Sequence, residues 1–190
     1  MKVYHSLENL PIFKNPTVTI GVFDGVHLGH LQVIQQLLQY AKQIEGDTIV
    51  VTFDPHPKEV LHKNSHFFLI QTVEERIKCL SNAGIDYVIV IPFTVEFSKL
   101  TYEQFIKEVL IDKIGAKAIV MGPNHSFGRN REGNFQNIQK ECKKCNIDVV
   151  EIPEYVSQDI AVRSSKIRHY MSEGKLNKAS EFLGRPMEKK

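Results

Sequence analysis

Five short apolar runs, each separated from the next by a longer stretch, constrain this 190-residue chain more than any other feature. They occupy residues 17–22 (TVTIGV), 48–53 (TIVVTF), 87–91 (YVIVI), 116–121 (AKAIVM) and 147–152 (IDVVEI). Apolar on consecutive rather than alternate residues and rich in Val and Ile, they suit parallel strands covered on both faces. Between the first two, Leu31, Ile34, Leu37, Leu38 and Ala41 recur at helical spacing over 28–44. Thr72 with Glu75, and Thr101 with Gln104, have capping-box spacing. The first box opens a helix that closes near Gly84; the second opens one that turns Phe105, Val109 and Ile111 toward the core. A further helix is predicted over 135–145, and two short helical segments divided by Gly174 end the chain. The alternation predicts an α/β fold: an open, mostly parallel, doubly wound five-stranded sheet with helices on both faces. Residues 1–16, closed by Pro11 and Pro16, are expected to be a lead-in packed on the edge of the first strand.

In such sheets ligands bind at the carboxyl ends of the strands, near the point where strand order reverses. The loops after runs one, two and four lie there, and they concentrate glycine, proline and histidine. After run one, Gly21, Gly25 and Gly29 frame His27-Leu28-Gly29-His30 at a helix start. Free amides at a helix N-terminus attract phosphate, and glycine lets it approach. Imidazole N–H donors beside them would stabilise a departing pyrophosphate, one preorganised donor being worth roughly 3 kcal/mol. Two histidines without a carboxylate pair make a poor metal set, and the lysine of a Walker loop is missing. An isolated pair of this kind is ordinarily solvated; its position between strand and helix favours phosphate.

Three other constellations face the same end. Ser164-Ser165-Lys166-Ile167-Arg168 offers hydroxyls and cations to a triphosphate, although alone it reads as a capped helix start. Thr52-Phe53-Asp54-Pro55-His56-Pro57 ends run two, with prolines restricting the backbone on both sides of the imidazole. The loop from Gly122 to Gly133 carries Phe127-Gly128-Arg129 and Arg131, an aromatic and two cations suited to a flat phosphorylated ligand. Cys142 and Cys145 have half-site spacing, but no second pair accompanies them and they fall inside a predicted helix. His62 and His66, with His56, read as solvated loop histidines.

Composition excludes several classes. A net charge of +2 leaves no nucleic-acid or membrane-surface footprint. No apolar run approaches the ~20 residues of a membrane span, and the N-terminus lacks the apolar core of a signal peptide. Three cysteines argue against a disulfide framework, so cytoplasm is the expected compartment. Nothing here signals an oligomeric state.

GVFDGVHLGH, TFDPHP, the Gly122-to-Gly133 loop and SSKIR, with PFTVEFSKLTYEQFI between strands three and four, together resemble the FAD synthetase family: the FMN adenylyltransferase module of bacterial bifunctional enzymes. The first motif alone would imply only the wider HxGH nucleotidylyltransferase superfamily. The resemblance implies a Rossmann-like domain over residues 1–186, with 187–190 as a tail, that joins ATP and FMN into FAD with magnesium. Direct attack of the FMN phosphate on the ATP α-phosphorus releases pyrophosphate. It assigns catalytic roles to His27, His30, Ser164 and Arg168. It assigns ATP binding to Gly21, Val22, Phe23, Asp24, Gly25, Gly29, Ser165 and Lys166 as well, and flavin binding to Phe53, Pro55, His56, Pro57, Asn124, Phe127, Gly128 and Arg129. No carboxylate cluster announces magnesium ligands.

The chain departs from the family pattern at three places. Where the second phosphate motif usually reads ISSTRIR, Arg163 replaces the first serine and Lys166 the first arginine. Where the flavin loop usually reads GxDFxFG, Asn124 and His125 replace the carboxylate and the phenyl ring. In bifunctional members a riboflavin kinase domain begins just after a stretch like Leu183-Gly184-Arg185-Pro186, so none is expected here. Two rival readings are another HxGH nucleotidylyltransferase with a different nucleotide or acceptor, and a flavin or nucleotide sensor without turnover.

Overall fold

A computed structural model describes residues 1–62, 67–123, 125–157 and 159–187. The strands are β1 (Lys2–Tyr4), β2 (Thr17–Ile20), β3 (Thr48–Asp54), β4 (Tyr87–Pro92), β5 (Ala118–Met121) and β6 (Asp148–Glu151). They form one parallel sheet in the order β1-β4-β3-β2-β5-β6. The sheet has six strands where five were expected. The lead-in supplies the extra one, and it pairs with β4 (Lys2 opposite Tyr87), not with the edge of β2. Three residues with little hydrophobic signal are too short to announce a strand, and the open edge of β4 recruits them. Strand order reverses at β2, which has β3 on one side and β5 on the other.

Both faces are covered, which explains the continuous apolar runs. Val50, Val88 and Val120 point to the face covered by α1 (Leu28–Gln43) and α3 (Val73–Asn82). Ile49, Ile89 and Ile119, one residue out of phase, meet the opposite layer. That layer holds α5 (Phe135–Lys144) and the helix opened by the Thr101–Gln104 capping box. Past Gln104 this helix has π winding over Phe105–Ile114. The pairs Phe105/Leu110 and Val109/Ile114, five residues apart, are therefore buried together, and Ile111 is only partly buried rather than core-facing.

The loop after β3 holds a one-turn helix, α2 (Pro57–Leu61). A two-stranded hairpin, β7 (Val156–Ser157) with β8 (Ile160–Ala161), leads into α6 (Ser164–Ser172) and α7 (Leu176–Leu183). Ile167, Tyr170, Phe182 and Leu183 pack on Ile70 in a third apolar cluster, which seats the SSKIR segment beside the sheet. Cys142 is buried inside α5, and burial pushes its thiol up to about 12, so the Cys142/Cys145 pair presents no thiolate ligand set. Among the described residues, no helix is long and apolar enough to cross a membrane.

The turn after α1 packs closely against the lead-in. A Cβ on Gly46 would lie 2.1 Å from the Asn15 carbonyl oxygen. Gly46→Ala is therefore expected to destabilise the fold by roughly 2 kcal/mol or more, because backbone rather than a flexible side chain must move. Thermal denaturation checks this; an unchanged midpoint would show that the contact relaxes freely.

Candidate active site

The turn between β2 and α1 is shaped before any ligand arrives. Phe23 and Val26 are buried with left-handed φ angles of 52° and 35°. Such conformations are costly for bulky side chains and persist only where packing enforces them. Arg185 enforces part of this, donating to the Val26 carbonyl at 3.0 Å and the Gly25 carbonyl at 2.5 Å.

His27 caps α1. Its Nδ1 accepts the His30 backbone N–H at 3.3 Å, so in the neutral ring the proton sits on Nε2. The His27 and His30 rings stack with centroids 3.6 Å apart and an angle of 14° between planes. Burial lowers the pKa of His27 to about 4. The same cause, helped by His27, Arg76 and His125, holds His30 well below the usual imidazole range. Both rings are thus neutral at pH 7. The Leu28 and Gly29 amides, first in the helix, have no intrahelical acceptor. A Cβ on Gly29 would meet the His27 ring and the Val162 carbonyl oxygen, each at 3.2 Å, so glycine keeps this approach open. Gly21 sits against the Phe23 ring in the same turn, and Val22 lends its carbonyl to the Thr52 hydroxyl at 3.0 Å.

The SSKIR segment comes to this turn from 140 residues away. Ser164 Oγ donates to the Asp24 carbonyl at 2.9 Å. The buried Asp24 carboxylate accepts the Ile70 N–H at 3.1 Å and the Gln71 N–H at 3.0 Å, and ion-pairs with Arg168 Nη2. Arg168 Nε donates to the Phe68 carbonyl at 2.8 Å, and its guanidinium lies 4.5 Å from the Phe67 ring centroid. Ser164 and Arg168 therefore bind the turn itself in this structure. Ser165 is exposed at the start of α6, and Lys166 stands 5.4 Å over the Tyr170 ring.

A second set of expected residues converges next to the first. His56 caps α2, its Nδ1 accepting the Lys58 N–H at 3.0 Å, while Glu59 accepts the His56 N–H. Its ring lies 4.3 Å from that of Phe67, and burial lowers its pKa to about 4. Pro55 and Pro57 flank it, Pro57 as the first residue of α2. Phe53 contacts Phe97, Phe97 contacts Phe105, and Phe105 contacts Phe127, with centroids 5.9, 6.0 and 4.9 Å apart. This aromatic row joins the loop after β3 to the loop after β5, where Gly128 turns with φ 81° and Arg129 donates its N–H to the Leu100 carbonyl. Asn124 and His66 lie outside the described residues.

Three participants escape the sequence reading. Phe67, which meets both Arg168 and His56, lies in a loop run without a periodic signal. Arg185 appears only as part of a boundary stretch. Arg76 had a legible signal: it shares a helical face with Val73, Ile77 and Leu80, where a cation is out of place.

Among the described residues no group of three histidine, cysteine or acidic side chains could hold a metal ion, and the Asp24 carboxylate is committed to Arg168 and two amides. These residues do not build a magnesium cage.

Comparison with known proteins bears on this arrangement. The FAD synthetase family profile matches residues 11–166. A bifunctional riboflavin kinase/FMN adenylyltransferase of Buchnera aphidicola subsp. Schizaphis graminum is 35% identical over 98% of this chain and 60% of its own length. Proteins of the same name from Listeria monocytogenes and Escherichia coli K12 are 32% and 28% identical, over 90% and 96% of this chain and 54% and 58% of theirs. The chain thus spans about 60% of the length of the curated relatives it matches. A solved Streptococcus pneumoniae chain described as a macrolide-efflux protein superposes with a TM-score of 0.85 at 24% identity, over 97% of this chain and 60% of that one. Pantoate-beta-alanine ligase of Francisella tularensis, complexed with beta-gamma ATP and beta-alanine, gives 0.53 at 13%, over 96% and 86%. At those identities the two superpositions establish the fold alone.

The buried histidines make stability depend on pH with a definite sign. Below pH 6.5 the unfolded chain takes up a proton at His27, while the folded chain does so only near 4. Stability is therefore full above pH 6.5 and lost toward pH 4, by about 3 kcal/mol from this residue. His27→Asn, which keeps a capping acceptor, is expected to lose less melting temperature between pH 6.5 and 4 than the parent chain. Melting curves across that range test it; parallel profiles would contradict the assignment.

Proposed function

The chain belongs to the FAD synthetase family, and we propose that it is an FMN adenylyltransferase. An FMN phosphate oxygen attacks the α-phosphorus of ATP. The bond from that phosphorus to the bridging β-phosphate oxygen breaks, and pyrophosphate leaves with the oxygen. The observation that carries this reading is the pairing of free Leu28 and Gly29 amides with two stacked, neutral imidazoles at the point of strand-order reversal.

The residues divide by what their partners allow. Gly21, Val22, Phe23, Gly25 and Gly29 shape a cradle in which the free Leu28 and Gly29 amides donate to phosphate oxygens. His27 and His30, neutral at pH 7, donate N–H to the triphosphate without the pull that a permanent cation exerts on the ground state. Asp24, Ser164 and Arg168 hold the cradle's far wall, and Ser165 and Lys166 line its entrance. Magnesium commonly keeps few protein ligands, so any ion the reaction uses would be carried by the triphosphate rather than by a protein cage. The flavin ring lies along the aromatic row and His56: Phe53, Pro55, Pro57, Phe127 and Gly128 supply flat apolar surface, with Arg129 at its polar edge. The relatives' names also include riboflavin kinase; the proposal for this chain concerns adenylyl transfer only.

Incubation with ATP, Mg²⁺ and FMN is expected to yield FAD and pyrophosphate in equal amounts, with CTP a poor substitute. No FAD above background from a folded sample would sink the reading. His30→Ala is expected to lower kcat by about 10²- to 10³-fold while FMN affinity changes little. Flavin fluorescence quenching checks the second half of that expectation. A large loss of FMN affinity with kcat intact would assign His30 to flavin binding instead.

A further inference from the structure

Arg76 is the most deeply buried charge described in the chain. It has no exposed surface and sits on the apolar face of α3. Its Nη1 donates to Thr52 Oγ1 and to the Phe53 carbonyl, each at 3.0 Å. Thr52 Oγ1 in turn donates to the Val22 carbonyl at 3.0 Å, so Arg76 is tied through the end of β3 to the first residues of the glycine turn. Its Nε and Nη2 have no hydrogen-bond partner among the described residues. Asp24, Asp54, Glu59 and Glu74 lie close enough to favour its charge, yet among the described residues none forms an ion pair with it.

A guanidinium in this state is expensive. An apolar side chain at the same place on α3 would avoid the cost of desolvating the charge and of leaving N–H donors unmatched. Packing alone does not account for it. What distinguishes the location is its neighbours: His30 on one side and His56 on the other both feel its field. The charge thus lies beneath the floor of the cleft, between the ring facing the triphosphate and the ring facing the flavin.

We propose that Arg76 is a positioning residue of the adenylyl-transfer site. It fixes the entry to the glycine turn through Thr52, and its charge, which no ion pair among the described residues neutralises, draws phosphate into the cleft. Burial is the main reason His30 stays neutral, and the Arg76 charge adds to it. The role rests on the function proposed above. Every charged or titratable group that lowers His30 is accounted for: His27 from its own turn, Arg76 from α3 and His125 from the loop after β5. His27 and His125 titrate at about 4 and are uncharged between pH 5 and 7. In that window Arg76 is the one of the three that carries charge.

Two substitutions separate charge from hydrogen bonding. Arg76→Gln keeps a donor for Thr52 or Phe53 and removes the charge; Arg76→Lys keeps the charge and loses the fork. The first readout needs no turnover: the histidine ring protons are titrated by NMR, with His30 identified by its absence in His30→Asn. Arg76→Gln is expected to raise the His30 midpoint by about one pH unit, since losing a nearby cation favours imidazolium. Arg76→Lys should leave it near its original position. The second readout is steady-state kinetics, in which Arg76→Gln raises KM for ATP by about tenfold and Arg76→Lys recovers most of that loss.

A folded Arg76→Gln protein with unchanged His30 titration and ATP KM overturns the proposal. So does equal loss of activity in both variants without any movement of His30, the signature of a structural arginine. Should the glutamine variant not fold, Arg76→Met, which removes the charge and keeps the length of the side chain, takes its place: a raised His30 midpoint in it supports the proposal, and an unchanged one overturns it. Failure of the parent chain to make FAD would sink the functional reading and leave the titration result standing.

Discussion

The structure of the cleft depends on one buried carboxylate. Asp24 sits in the glycine turn, accepts two backbone amides from residues 70 and 71, and ion-pairs with Arg168. Three segments that are remote in sequence thereby share one anion: the turn, the loop before α3 and the start of α6. Removing one partner of such a pair strands a buried charge, at roughly 3–5 kcal/mol. Ser164 and Arg185 add bonds to the carbonyls of Asp24, Gly25 and Val26. Together these ties hold Phe23 and Val26 in backbone conformations that neither side chain favours.

That anchoring explains how neutral imidazoles persist beside arginines. Asp24 favours a proton on His27, but its charge is shared with Arg168 and its pull is smaller than the effect of burial. Burial then dominates and both stay uncharged. A neutral donor is better suited to charge that develops on a leaving pyrophosphate than to the charge already present on ATP. The positive potential comes instead from groups whose charge does not depend on pH near 7: Arg168 and Arg185 beside His27, and Arg76 below the floor. Division of labour between fixed cations and neutral donors leaves the site insensitive to small changes in pH.

Much of the framework was legible because its signals are local. The five apolar runs became β2 to β6, and both capping boxes opened helices as their spacing predicted. What was hidden depends on distance or on geometry without local preference. β1 exists because β4 has a free edge, a fact absent from residues 1–16 themselves. The π winding of Phe105–Ile114 follows from packing and cannot be told from α-helix in a pattern of apolar residues. In the cleft, the glycine turn and its histidines were visible as a strand-to-helix motif. The partner of Asp24 was not, because 144 residues separate it from Arg168.

The contacts also bear on how the departures from the family pattern should be weighed. Arginine and lysine differ most where a planar fork is used. At position 168 the fork is used, with Nε on the Phe68 carbonyl, Nη2 on Asp24 and the face of the guanidinium toward Phe67; arginine stands there. At position 166 the cation is half-buried over the Tyr170 ring, a contact that an ammonium group makes as a point charge; lysine stands there. The departure in this motif thus falls where geometry demands least. His125 is the more consequential one, because it introduces a buried imidazole whose Nε2 has no hydrogen-bond partner among the described residues. Phenylalanine at that position would bring no such nitrogen into the loop after β5.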